Sequence, residues 1–145
     1  LADILSRHPD AEWVLVHDAA RPCLSFSDLT RLLQQGLQCP DGAILAIPVN
    51  DTLKLSDEAG RIGETIDRSR YWAAQTPQLF PIRELAANLE AALAAGLAPT
   101  DEAASMEWAG KHPLLVQGSS TNIKITGPED LDLAAFILQR QTMRE

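Results

Sequence analysis

The chain has 145 residues, 46% hydrophobic and 22% charged, a composition that fits one ordinary globular domain with a sizeable core and argues against disorder. A formal net charge of −8 works against broad electrostatic binding to nucleic acid or to an anionic membrane surface, so an anionic ligand would need a local pocket of cations. Cys23 and Cys39 have neither CxxC spacing nor a nearby His/Cys set, which excludes an evident zinc or redox motif and predicts reduced thiols in a cytoplasmic protein.

The opening "LADILSRHP" reads as the end of a helix already under way, as expected of a fragment or a trimmed chain. No export signal opens the sequence and no apolar run approaches a membrane span. "EWVLVHD" (12–18) predicts a strand, and "SDLTRLLQQGLQ" (27–38) a helix with Ser27 as N-cap and an apolar face of Leu29, Leu32, Leu33 and Leu37. "GAILAIPV" (42–49) is almost continuously apolar, as in a strand covered on both faces.

The pattern changes over residues 50–70. Leu53 and Leu55 alternate with Thr52, Lys54 and Ser56, and after the turn "DEAGR" Ile62 and Ile66 share a side with Glu64. This predicts a β-hairpin. An isolated hairpin is marginal in water, so it should lie on its own domain or on a second subunit. "YWAAQTPQLF" (71–80) returns the chain to the core, and "PIRELAANLEAALAAG" (81–96) is a helix between Pro81 and Gly96. A shorter helix follows at 100–110, with Thr100 as candidate cap and Asp101 and Glu102 in its first turn. "PLLVQG" and "NIKIT" predict two short strands, and "GPEDLDLAAFILQR" a closing helix. Alternation of strands and helices points to one α/β domain over 1–145 with a mainly parallel sheet.

Ligands of open α/β sheets gather at the carboxyl ends of strands, and "HDAARP" lies at such an end. Asp18 could hold a metal ion or a sugar hydroxyl there, and Arg21 could clamp a phosphate with its planar fork of donors. Ala19 and Ala20 are small enough to let a ligand or cofactor reach the backbone. The Asp–Arg pair fits a simple loop tie equally well. Arg68 and Thr52 fit solvated surface positions, and Lys124 is either a cation on the polar face of a strand or an edge-strand lysine that deters aggregation. Thr76 offers a hydroxyl or is an extended residue before Pro77. His17, next to a buried strand, reads as a packed, hydrogen-bonded core residue rather than a catalytic base. Neither a nucleophile–base set nor metal-ligand spacing is present, so the chemistry on offer is electrostatic.

Six blocks, "VLVHDAARP", "ILAIPVNDTLK", "TIDRS", "QTPQLF", "TDEAAS" and "NIKITGPEDL", stand in the order found in the 2-C-methyl-D-erythritol 4-phosphate cytidylyltransferases, and the resemblance covers essentially all 145 residues. It implies a Rossmann-like nucleotidyltransferase sheet and a homodimer in which the 50–70 hairpin reaches over the neighbour. By motif, Asp18 resembles the family's aspartate beside ribose, metal and methylerythritol phosphate. Arg21, Thr76 and Lys124 resemble acceptor-site residues of the same subunit, with Asp18, Arg21 and Lys124 the catalytic set and Ala19 beside the cofactor. Thr52 and Arg68 resemble the pair that the arm contributes to the partner's site. The implied reaction joins the 4-phosphate of methylerythritol phosphate to the α-phosphate of CTP, with Mg²⁺, and releases pyrophosphate. A nucleotidyltransferase for another sugar or polyol phosphate, or a non-catalytic binding and dimerisation module, would share part of this pattern.

The eight glycines are dispersed, with no G-x-G-x-x-G run or basic loop before Leu15. The expectation is therefore that the chain is the later part of such an enzyme, its sheet incomplete at the N-terminus, the CTP-binding segment missing, and the chain alone inactive.

Overall fold

In the computed structural model, which describes residues 1–143, the elements run α1 (Ala2–Arg7), β1 (Trp13–Val16), α2 (Phe26–Gly36), β2 (Ala43–Pro48), β3 (Leu53–Ser56), β4 (Ile62–Ile66), β5 (Trp72–Pro81), α3 (Ile82–Ala94), α4 (Glu102–Trp108), β6 (Leu114–Gln117) and α5 (Pro128–Thr142). Four strands form the main sheet in the order β1-β5-β2-β6, while β3 and β4 pair only with each other. Among the described residues no helix is long and apolar enough to cross a membrane.

The sheet is not mainly parallel. β5 runs antiparallel to both β1 and β2, and only β2 and β6 are parallel. β2 and β5 are joined by residues 49–71, which hold the β3–β4 hairpin and no helix, and the Val49 N–H donates to the Tyr71 carbonyl at 3.0 Å, so the antiparallel pairing runs on to the base of the hairpin. β5 is ten residues long and serves two partners. Its Gln78–Pro81 end pairs with β1, and its length from Trp72 to Leu79 pairs with β2 across a register shift between Ile44 and Ala46. At the N-terminal side β1 is paired along its full length, Trp13 to Pro81 through Val16 to Gln78.

Successive side chains of a strand point to opposite faces, and β2 feeds two cores in this way. Ala43 and Leu45 join Leu32 of α2, Leu79 and Val116 on one face; Ile44 joins Phe80, Leu85 of α3, and Ala103 and Met106 of α4 on the other. The nearly continuous apolar run thus belongs to a strand covered on both sides. Gly42, just before β2, has φ +86°, and a Cβ there would lie 2.3 Å from Phe80 Cδ1 and 2.5 Å from the Leu79 carbonyl oxygen. Both the backbone and the packing require glycine.

Two caps and one strand differ from the sequence-based expectation. Ser25 rather than Ser27 caps α2, its Oγ accepting from the Asp28 N–H at 3.1 Å, and Asp101 rather than Thr100 caps α4, accepting from the Ala104 N–H at 2.9 Å. A carboxylate is as good a cap as a hydroxyl and also favours the positive end of the helix. "NIKIT" forms no strand. Its alternating isoleucines, Ile123 and Ile125, pack on Cys23, Ala134 and Ile137, and its backbone is fastened through the Ile125 N–H to the Ala20 carbonyl at 2.8 Å. The alternation reflects packing onto α5 without a ladder.

Candidate active site

β1 ends at Val16, and the next five residues are stitched into a rigid turn. The Arg21 N–H donates to the Asp18 carbonyl at 2.9 Å, and the Ala20 N–H donates to Asp18 Oδ1, also at 2.9 Å. Because β5 is antiparallel to β1, the residue two beyond the Val16–Gln78 pair on one strand meets the residue two beyond it on the other. That brings Thr76 to Asp18, whose N–H donates to Thr76 Oγ1 at 3.0 Å.

Lys124 enters from the segment between β6 and α5. Its Nζ lies 2.8 Å from Asp18 Oδ2, and the half-exposed pair stays open to solvent. The Lys124 ammonium, and then the Ala20 N–H, hold the Asp18 carboxyl below its ordinary value, so it is an anion at neutral pH. The Arg21 guanidinium is turned inward. Nη1 donates to the Asn122 carbonyl at 2.7 Å and Nη2 to the Ala74 carbonyl at 3.4 Å, while Nε is buried with no partner among the described residues. Burial lowers its pKa.

Behind these residues lie two buried amides that sequence reasoning passed over. Asn122 is fully buried; its Nδ2 donates to the Thr76 carbonyl at 2.8 Å, so one residue braces Arg21 through its backbone and Thr76 through its side chain. Gln75 Nε2 donates to the Ser119 carbonyl at 3.0 Å. The sequence signal was present for Gln75 alone, a polar residue within the largely apolar "YWAAQTPQLF", whereas Asn122 follows the polar run "GSST" and nothing there marks it as buried. His17 is also corrected: it is exposed rather than packed in the core, yet both ring nitrogens are engaged, Nδ1 at 2.9 Å from Thr76 Oγ1 and Nε2 at 3.1 Å from the Arg21 carbonyl.

Asp18, Arg21, Thr76 and Lys124 thus converge on one edge, with Ala19 exposed at the tip of the turn. Thr52 and Arg68 do not join them. Both are exposed near the base of the hairpin, where Arg68 donates to the Asn50 carbonyl. Leu55 and Ile62 of the hairpin remain 56% and 71% exposed, so these two apolar side chains are not covered by the described residues. Among the described residues no group of three or more His, Cys, Asp or Glu side chains is placed to hold a metal ion. Asp18 is the one carboxylate within the cluster, with Oδ1 on the Ala20 N–H and Oδ2 on Lys124.

Fold and cluster together define an α/β protein in which one carboxylate, two cations and a hydroxyl are gathered at one edge of the main sheet. The family model for 2-C-methyl-D-erythritol 4-phosphate cytidylyltransferase matches residues 3–140, and the chain belongs to that family. The chain is 55% identical over 130 residues to the 2-C-methyl-D-erythritol 4-phosphate cytidylyltransferase of Shewanella denitrificans, covering 90% of this chain and 54% of that protein. It is 55% identical over 134 residues to the one of Tolumonas auensis, covering 92% and 59%. Among solved structures, that of a 4-diphosphocytidyl-2C-methyl-D-erythritol synthase matches with a TM-score of 0.81 and 45% identity over 94% of this chain and 63% of that one. The Thermus thermophilus 2-C-methyl-D-erythritol 4-phosphate cytidylyltransferase gives 0.80 and 34%, over 94% and 66%.

These matches overturn the expectation that the resemblance is to a later part only and that the sheet is incomplete at the N-terminus. The family model begins at residue 3, and the structural likeness runs over nearly the whole chain, with α1 and β1 included. The chain spans 54% and 59% of the length of these two curated relatives.

Proposed function

We propose that the chain carries the acceptor-binding chemistry of cytidylyl transfer from CTP to 2-C-methyl-D-erythritol 4-phosphate, with release of pyrophosphate. The observation that carries this reading is the convergence of Asp18, Arg21, Thr76 and Lys124 on one sheet edge in a chain of this family. An acceptor phosphate oxygen forms the new bond to the α-phosphorus of CTP, and the bond from that phosphorus to the bridging oxygen breaks as pyrophosphate leaves. The nucleophile is ionised near neutral pH and needs no strong base. The site must instead align two anions and offset the charge that develops between them.

Lys124 uses one of three ammonium donors on Asp18, which leaves two for a phosphate. Arg21 supplies fixed positive charge behind the turn, and its bonds to Asn122 and Ala74 keep it from swinging away. Asp18, held ionised, suits a ribose or polyol hydroxyl and one coordination position of a hard cation. A lone carboxylate fits Mg²⁺ that arrives on the triphosphate, because this ion commonly takes only one or two carboxylates beside phosphate and water. When bound, the ion supplies charge neutralisation at the phosphates.

The 50–70 hairpin is the arm of a homodimer, and Thr52 and Arg68 complete the acceptor site of the partner. Its exposed Leu55 and Ile62, with no cover among the described residues, support that reading. Pyrophosphate release, measured with CTP, acceptor and Mg²⁺ each omitted in turn, tests the reaction. Release should require all three, and equal rates with an unrelated sugar phosphate would defeat the assignment of the acceptor. Mixing Asp18→Asn protein with Arg68→Ala protein tests the arm: a shared site restores partial activity in the mixture, and a site built within one chain does not.

A further inference from the structure

The imidazole of His17 sits between two groups of the site. Its Nε2 faces the Arg21 carbonyl at 3.1 Å, and a carbonyl oxygen only accepts, so Nε2 carries the hydrogen. In the neutral ring Nδ1 is then an acceptor, and its neighbour at 2.9 Å, Thr76 Oγ1, gives it the hydroxyl hydrogen. The same Thr76 oxygen accepts from the Asp18 N–H at 3.0 Å. A single directed chain results: Asp18 N–H to Thr76 hydroxyl, Thr76 hydroxyl to His17, His17 to the Arg21 carbonyl. It closes the turn that presents Asp18 and Arg21 by joining both of its ends to one residue of β5.

We infer that His17 is a positioning residue of the acceptor site: as the Nε2–H tautomer it fixes the Asp18–Arg21 turn against Thr76 and holds the Thr76 hydroxyl hydrogen away from the ligand. The inference rests on the functional reading above for its consequence, but not for its geometry. Thr76 then acts by bracing the Asp18 backbone, and its hydroxyl meets an incoming phosphate with no free hydrogen to give. Cooperative chains of this kind respond to deletion as a unit, because losing one member leaves the others undirected.

Two measurements test it. Imidazole nitrogen NMR at about pH 8.5, above the ordinary histidine range, reads the tautomer directly. Nε2 should carry the hydrogen, and the Nδ1 resonance should shift in Thr76→Val; an Nδ1–H tautomer, or no response to Thr76→Val, overturns the proposal whether or not the protein turns over. The second is a double-mutant cycle on acceptor kcat/KM. His17→Phe and Thr76→Val should each lower it about tenfold, and the double variant also about tenfold, because both remove the same chain. A double variant lower by about a hundredfold means independent roles and refutes the coupling. His17→Asn, whose amide can replace Nδ1, should recover most of the loss, which a merely packed ring would not allow. If the wild type released no pyrophosphate, the reaction would fall while the tautomer result still decided the role of His17.

Discussion

Asn122→Ala separates the framework of the site from its charges. Asn122 is fully buried and donates from Nδ2 to the Thr76 carbonyl at 2.8 Å, while its own carbonyl holds Arg21 Nη1 at 2.7 Å. Truncation leaves the backbone contact with Arg21 in place but strips the Thr76 carbonyl of its donor. An unsatisfied buried acceptor costs about 1–3 kcal/mol, and the small void left by the amide adds to it. About 2 kcal/mol in total corresponds to a fall of roughly 5–8 °C in Tm for a chain of this size. Asn122→Asp should be worse than alanine despite its shape, because it sets a carboxyl oxygen against a carbonyl and buries an unpaired charge. Differential scanning calorimetry gives the order, and kcat/KM for the acceptor should fall with it as the Thr76 brace loosens. An Asn122→Asp protein as stable as wild type would refute the reasoning.

Lys124→Met removes the one cation that pairs with Asp18 while facing solvent, so the acceptor KM should rise at least about tenfold with little change in Tm; steady-state kinetics against thermal melting checks the split. Gly42→Ala, which forces a Cβ at positive φ against Phe80 and the Leu79 carbonyl, should cost about 2 kcal/mol or more by chemical denaturation, well beyond a routine Gly→Ala change. Asp130 accepts from the Thr126 N–H at 2.8 Å, the Thr126 hydroxyl at 2.9 Å and the Gly127 N–H at 3.0 Å, and these bonds, the Thr126 N–H first, hold its carboxyl below the ordinary value. A depressed carboxyl stabilises the fold above its unfolded value, near pH 4, and that contribution disappears as pH falls through the folded value. Asp130→Asn should therefore melt below wild type at pH 7 and converge on it in acid, as thermal melts at the two pH values would read.

Local patterns were more legible in the sequence than the directions that the chain takes. The apolar spacing in "SDLTRLLQQGLQ" and the continuous run in "GAILAIPV" each had one physical outcome, and α2 and β2 follow from them. Strand direction leaves a weaker trace in the sequence. Nothing helical lies between β2 and β5, and because parallel crossovers are usually helical this favours an antiparallel return. Helix starts within a run of capping residues were not decidable, since Ser25 and Ser27 both suit the position and only the distance to the Asp28 N–H separates them.

The site divides along the same line. Asp18 and Lys124 carry charges that sequence can point to, but their meeting depends on the segment 122–126, whose alternation implied a strand and a polar face. The structure puts Lys124 on Asp18 by another means. Ile123 and Ile125 anchor in the Cys23–Ala134–Ile137 cluster, the Ile125 N–H fastens to the Ala20 carbonyl, and the residue between the two isoleucines is left facing the turn. Asn122 extends the same segment into the interior, where it takes hold of Arg21 and Thr76. Five residues without a ladder therefore set the geometry of three candidate site residues, through one packed pair and one buried amide. The period of the apolar side chains survives when the backbone pairing does not, because burial selects side chains and leaves hydrogen bonds to be satisfied by whatever backbone lies nearby.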